Sequence, residues 1–332
     1  MPFEIVRNDI TNMKVDAIVN AANTRLKMGG GVCGAIFSAA GAEKLQAECD
    51  RIGGCETGKS VITGGYALPA RYIIHAVGPI WMGGGDNEKQ LLHSAYTSAL
   101  VLAEENRCQS VAFPLVSSGI YGYPKDQAIH VAISAIGEFL LEHDMMVYLV
   151  VFDEKAFSLS EKLTSSIREY IDANYVENAA RKDTGSRVQE FEYAQESKPK
   201  VAEYILSSSK RSLEDVVEHL DETFSAAMLR LIDEKKMADT EVYKKANLDR
   251  KLFSKIRSDA HYKPGRATAI ALSIALKLNL DETLDLMGKA GYTLSNSNKS
   301  DVIIKYFIEK ENHNIFEVNE ALFAFGQPVL GR

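Results

Sequence analysis

No apolar run in this 332-residue chain approaches the roughly 20 residues that a membrane-spanning helix needs. The opening MPFEIVRNDIT also lacks the basic-then-apolar layout of a secretion signal. The cytoplasm is therefore the expected location, with no membrane partner. Cysteine is sparse: Cys33, Cys49, Cys55 and Cys108 form no C-x-x-C pair. That spacing argues against a zinc knuckle and a disulfide framework, so buried or free thiols and no metal are expected. A positive balance is missing too. Lys plus Arg number 38 against 45 Asp plus Glu, a formal net charge of −7. The chain as a whole has no general attraction for nucleic acid or anionic lipid, and only a local basic patch could supply one. No internal repeat and no low-complexity tract is present, and nothing calls for a cofactor. What remains is ordinary globular material. With 46% hydrophobic and 25% charged residues, it suffices for a sizeable core and for two domains.

One stretch invites a specific reading. GGCETGKS, Gly53 to Ser60, satisfies the phosphate-binding pattern G-x-x-x-x-G-K-[ST]. A working loop of that kind lies between a preceding strand and a following helix, whose N-terminus offers aligned N–H groups. Here a helical stretch precedes Gly53, and SVITGGYALP follows Lys59 with β-branched residues, a Gly pair and a proline. The polarity is reversed. The segment reads as a helix-to-strand turn with Lys59 solvated.

The first part of the chain alternates strand-like and helix-like patterns. FEIV, DAIVNAAN, SVITGGYAL, RYIIHAVG, SVAFPLV and VYLVVF read as strands. Helices are expected over 32–52, 88–106, 125–141 and 155–174. Apolar strands between helices argue for a sheet covered on both faces. Residues 178–200 are polar and poor in aliphatics, and read as a mobile linker. The expected division is an α/β unit over 1–174, a linker and helical connector over 175–222, a helical domain over 223–291 and a helical tail over 292–332.

Two glycine-rich loops have the flanks the first match lacks. In NAANTRLKMGGGVCGAIF a buried strand ends, Gly29, Gly30 and Gly31 follow, and a helix begins at once. In FPLVSSGIYGYPKDQA another strand runs into Ser117, Ser118, Gly119, Ile120, Tyr121 and Gly122, with a helix after Pro124. Such loops bring backbone N–H groups and a helix N-terminus up to an anion, and two of them can grip a diphosphate from both sides.

With DIT, IIHAVGPIW and VVFDEKAF, these stretches resemble a macrodomain, the ADP-ribose-binding module, with the bacterial and MacroD-type hydrolases as the nearest branch. The likeness covers residues 1 to about 173. It implies a three-layer α/β/α sandwich with a mixed sheet. It implies that Asp9 meets the adenine amino group beside the Ile10 backbone, and that Asn23 holds the distal ribose. Gly30, Gly31 and Val32 would line the first loop. Ser117, Gly119, Ile120, Tyr121 and Gly122 would form the diphosphate loop, with Phe152 packing on the adenine. Each residue taken singly also fits a plainer role. Asp9 suits a turn cap before Thr11, Phe152 the core and Tyr121 the surface. Asn20 reads as a loop-holding amide and His75 as a core histidine.

MacroD-type hydrolases carry an aspartate that helps activate water where this chain has Cys33, in GGVCGAI. A neutral thiol does not replace a carboxylate as general base. The implied catalytic residues are thus Asn23 and, as a departure from the pattern, Cys33. Two functions follow. One is hydrolysis of ADP-ribosyl esters, on mono-ADP-ribosylated protein or O-acetyl-ADP-ribose. The other is a non-catalytic ADP-ribose or nucleotide sensor with a regulatory role.

The later segment ADTEVYKKANLDRKLFSKI resembles a helix-turn-helix of the phage-repressor type, with Asn247 at the turn. The resemblance implies a recognition helix carrying Arg250, Lys251, Ser254, Lys255 and Arg257, and DNA as a partner. From Lys244 to Arg266 there are eight basic and two acidic residues. Tyr243 departs from the small residue usual there. A helical bundle for protein docking is the other reading.

Overall fold

The computed structural model describes residues 3–152, 161–175 and 222–331. The linker expected over 178–200 lies outside them. Six strands form one mixed sheet: β1 (Phe3–Arg7), β2 (Ala17–Ala21), β3 (Ser60–Gly64), β4 (Tyr72–Ala76), β5 (Ser110–Pro114) and β6 (Met146–Val151), in the order β1-β6-β5-β2-β4-β3. All neighbours pair parallel except β3, which is antiparallel to β4.

Strand alternation sets the layers. Ile18 of β2 and Ile73 of β4 face one side, with Ile36 and Phe37 of α1 (Gly31–Ala40) and Leu45 of α2 (Ala42–Ile52). Val19 and Ile74 face the other, with Leu92 and Tyr96 of α3 (Glu88–Glu105) and Ile129 of α4 (Lys125–Glu142). Both faces are covered, which is why these strands read as continuous apolar runs. The helix expected over 32–52 is two helices. Gly41 adopts φ 98° and its N–H caps Phe37, a conformation that favours glycine and turns the chain. Gly53 ends α2 and Ser60 opens β3, so no helix follows Lys59.

Among the described residues the later part of the chain is helical: α5 (Glu161–Asn174), α6 (Phe224–Glu234), α7 (Asp239–Lys245), α8 (Arg250–Ser258), α9 (Arg266–Ala275), α10 (Leu280–Lys289), α11 (Lys299–Glu309) and α12 (Ile315–Ala324). Polar caps start several of them. Asp249, Asn279, Asn298 and Asn314 each accept a hydrogen bond from a first-turn N–H.

The later helices share the core of the α3/α4 face. Phe3 meets Phe316 edge-on at 5.7 Å, and Tyr170 meets Tyr306 at 5.4 Å. A Cβ on Gly137 would lie 3.0 Å from the Phe316 ring, so glycine lets α12 approach α4 closely. The turn residue Asn247 is buried with φ 54°. Its Oδ1 accepts from the Phe3 N–H at 2.7 Å and its Nδ2 donates to the Phe3 carbonyl at 2.9 Å. One side-chain amide thus occupies the outer edge of β1, which an unpaired strand would otherwise expose.

Candidate functional site

β2 and β5 are parallel neighbours, so the loops after them open at the same edge of the sheet. After β2 the chain makes a turn anchored by buried Leu26 and enters α1 through Gly30 and Gly31. Gly31 sits at φ 60°. A Cβ on Gly34 would fall 2.7 Å from the Gly29 carbonyl oxygen, so the helix start is packed against its own loop. Among the described residues no side chain caps α1. Its first N–H groups and the positive end of its dipole therefore face whatever fills the loop.

After β5, Ser117 takes φ 65°. Gly122 N–H closes on the Gly119 carbonyl at 3.0 Å, and Tyr123 N–H on Ser117 at 3.1 Å. The Trp81 N–H braces the loop from outside, donating to the Tyr121 carbonyl at 2.9 Å. The loops face one another: a Cβ on Gly30 would come 3.3 Å from Ile120 Cδ1. Both border one cavity of about 680 Å³.

Twelve of the thirteen residues expected at the ligand line this cavity: Asp9, Ile10, Asn23, Gly30, Gly31 and Val32 on one side of the chain order, then Cys33, Ser117, Gly119, Ile120, Tyr121 and Phe152. Gly122 does not line it. It closes the turn at φ 70°, so its contribution is to loop shape. Asp9 is half-buried, and its Oδ1 caps a short turn, accepting from Thr11 N at 2.9 Å and Thr11 Oγ1 at 2.7 Å. The plainer role is therefore filled by one oxygen, while Oδ2 has no partner among the described residues. Asn8 N–H donates to the Val151 carbonyl, which brings Asp9 beside Phe152. The Phe152 ring is 78% exposed, a placement unlike core and suited to stacking on a flat ligand.

Asn23 organises its own loop. Oδ1 accepts from Arg25 and Lys27 N–H groups, and Nδ2 donates to the Lys27 carbonyl at 2.7 Å. An amide nitrogen has two hydrogens, so one remains for a ligand. Cys33 is buried, and its thiol also donates toward Lys27 O, at 3.9 Å. It accepts from Asn20 Nδ2 at 3.7 Å.

Beneath lies a polar chain. Asn20 Nδ2 donates to His75 Nδ1 at 3.0 Å, which leaves the ring proton on Nε2 to meet Thr63 Oγ1 at 2.9 Å. His75 is fully buried, and that burial lowers its pKa to about 4. It is a neutral imidazole that fixes Asn20, consistent with a core role.

Two contributors were not evident from sequence. Gly78 lines the cavity, and a Cβ there would lie 2.2 Å from Ser117 Oγ. Trp81 acts through its backbone. The only signal was the Gly-Pro pair in AVGPI, which marks a turn but not its neighbour. Among the described residues no group of three or more His, Cys, Asp or Glu could hold a metal, and no helix is long and apolar enough to cross a membrane.

The macro domain family model matches residues 19–132. A macro domain-containing protein of Mesorhizobium japonicum is 50% identical over 169 residues, 50% of this chain and 96% of that protein. An O-acetyl-ADP-ribose deacetylase of Escherichia fergusonii is 46% identical over 167 residues, 48% of this chain and 94% of that protein. A solved Trypanosoma brucei macrodomain in complex with ADP-ribose is 42% identical, covering 46% of this chain and 65% of that one, with a TM-score of 0.43. The chain belongs to the macro domain family.

Proposed function

We propose that the 680 Å³ cavity binds ADP-ribose and that the chain hydrolyses ADP-ribosyl esters. The observation that carries this is the pair of glycine loops facing each other over the uncapped start of α1. They offer backbone N–H groups to a diphosphate. Asp9 Oδ2 suits an adenine amine and Phe152 its face, while the spare Asn23 N–H suits a ribose hydroxyl. The 46% identical relative named an O-acetyl-ADP-ribose deacetylase supports the ester as substrate class.

Water would cleave the ester C–O bond, releasing ADP-ribose, a carboxylate and one proton to solvent. Cys33, donating toward a carbonyl, is not arranged as a base, so water is oriented by the ligand's own phosphate while Asn23 fixes the ribose. Positioning of this kind contributes several kcal/mol to a rate.

Calorimetry with ADP-ribose, run beside magnesium-ATP, and turnover of O-acetyl-ADP-ribose and of a mono-ADP-ribosylated glutamate test the reading. ADP-ribose binds and ATP is not turned over. Cys33→Asp raises kcat by up to about a hundredfold by adding a general base. Cys33→Ala leaves it nearly unchanged, and Asn23→Ala lowers it by about tenfold or more. Binding without release above background would leave the sensor reading.

A second reading concerns α8. Arg250, Lys251, Ser254, Lys255 and Arg257 are all exposed on it. Arg257 pairs with Asp239, and Lys255 lies 5.0 Å from the Tyr262 ring. Tyr243 packs 5.8 Å from Phe253 between α7 and α8, where the repressor type has a small residue. We propose this outward basic face as a DNA contact. Fluorescence anisotropy with duplex DNA then shows affinity falling steeply with salt, a log–log slope of about −0.9 per phosphate neutralised. Absent binding, or binding indifferent to salt, removes the idea.

A further inference from the structure

A second cavity, of about 660 Å³, lies where α12 meets the α/β unit, and it is independent of the first. Trp81 and Tyr123 form one wall, their rings 4.6 Å apart and tilted by 58°. That wall is held in place. The Glu88 carboxylate accepts from the N–H groups of Met82, Gly84 and Asp86, at 3.0, 3.0 and 2.7 Å. Asp126 of α4 and Glu317 and Glu320 of α12 supply three carboxyl groups. Lys89 and His130 also border the cavity, both exposed.

Glu320 is the anomaly. It is 5% exposed, it lines this cavity, and no described residue hydrogen-bonds its carboxyl. The side chain is otherwise buried, but its carboxyl opens into the cavity rather than onto a protein partner, where a cation could reach it. Glu317, by contrast, already accepts from Asn312 and Asn314.

We propose that this cavity binds an organic cation of the di- or polyamine class, with Glu320 as the principal counter-charge and the half-buried Trp81 ring, backed by Tyr123, against the alkyl stem and ammonium. A metal ion fits worse. The space is far larger than an ion, and among the described residues no cluster of carboxyls and imidazoles is close enough to chelate one. Three carboxyls around a roomy cavity beside the Trp81 ring match a chain carrying more than one ammonium group.

Burial, then the neighbouring Glu317 and Asp126, lifts the Glu320 pKa to about 8. At neutral pH the empty site therefore holds a proton that the cation displaces. Lys89 and His130 border the cavity from the solvent side. Affinity rises with pH as the carboxyl gives that proton up.

Calorimetry on the full chain with spermidine as the probe tests this. Saturable one-to-one binding is expected, tightening between about pH 6.5 and about pH 8.5. Glu320→Gln keeps the shape and the neutral form, so the fold persists, while affinity falls by about tenfold or more and the pH dependence disappears. Glu43→Gln, an exposed acid on α2, changes nothing. No saturable binding, equal affinity in Glu320→Gln, or full competition by equimolar magnesium would overturn the proposal.

Discussion

Asn247→Ala is expected to lower the unfolding free energy by about 3–8 kcal/mol, measured by urea denaturation of the full chain. The side chain makes two buried hydrogen bonds to Phe3, one in each sense. Alanine removes both and leaves a buried strand N–H and carbonyl unpaired, each loss worth about 1–3 kcal/mol. It also meets a backbone at φ 54°, where a Cβ without a local polar group is disfavoured by about 1–2 kcal/mol. Asn247→Gly separates these parts: it loses the same bonds but relaxes the backbone, and should fall between wild type and alanine. Hydrogen exchange at 3–7 and 246–249 should accelerate together, because the amide joins β1 to the turn before α8. A change under about 0.5 kcal/mol with unaltered protection would mean that water replaces the amide at no cost.

The same residue shows what was legible in the sequence and what was not. A left-handed turn at Asn247 could be read from KKANLDRK, because asparagine tolerates that backbone. Its partner Phe3, 244 residues away, could not, since no local pattern encodes a tertiary contact at that separation. A sheet covered by helices was legible because apolar strands alternate with helical periodicity; that it is mixed came only with the macrodomain resemblance, and the strand order depends on how crossovers pack. The helix break at Gly41 was missed, because alanines on both sides continue an apolar stripe through it. In the site, the two loops announced themselves by glycines after buried strands. That Asp9 would use one oxygen as a cap, and that Asn23 would spend most of its amide on its own loop, needed coordinates. The acid-lined cavity was invisible. Nothing in EVNEALF marks Glu320 as buried, and its burial follows from the packing of α12, which includes α4.

Gly78→Ala is expected to weaken ADP-ribose binding by about ten- to a hundredfold and to lower stability by about 1–3 kcal/mol through overpacking. The added methyl would lie 2.2 Å from Ser117 Oγ and 2.7 Å from Val116 Cγ1. Rotating the serine hydroxyl relieves only the first clash. Val116 is buried, and its N–H is held at 3.0 Å by the Tyr96 hydroxyl, which itself donates to the Pro114 carbonyl. Displacement must therefore pass into 117–122, the loop proposed to clasp the diphosphate. A companion variant locates the strain. Ser117 has a left-handed backbone and a buried hydroxyl with no partner among the described residues. Ser117→Gly removes both penalties and should raise stability slightly. In the double variant Gly78→Ala/Ser117→Gly, part of the lost stability and affinity returns, with a coupling of about 0.5–3 kcal/mol expected for residues in contact. Strict additivity in calorimetry and denaturation would show that the methyl acts elsewhere. Wild-type ligand affinity in Gly78→Ala would separate this loop from the ligand altogether. The stability loss tests the packing whatever the ligand proves to be, and the affinity loss tests the loop's role in holding it.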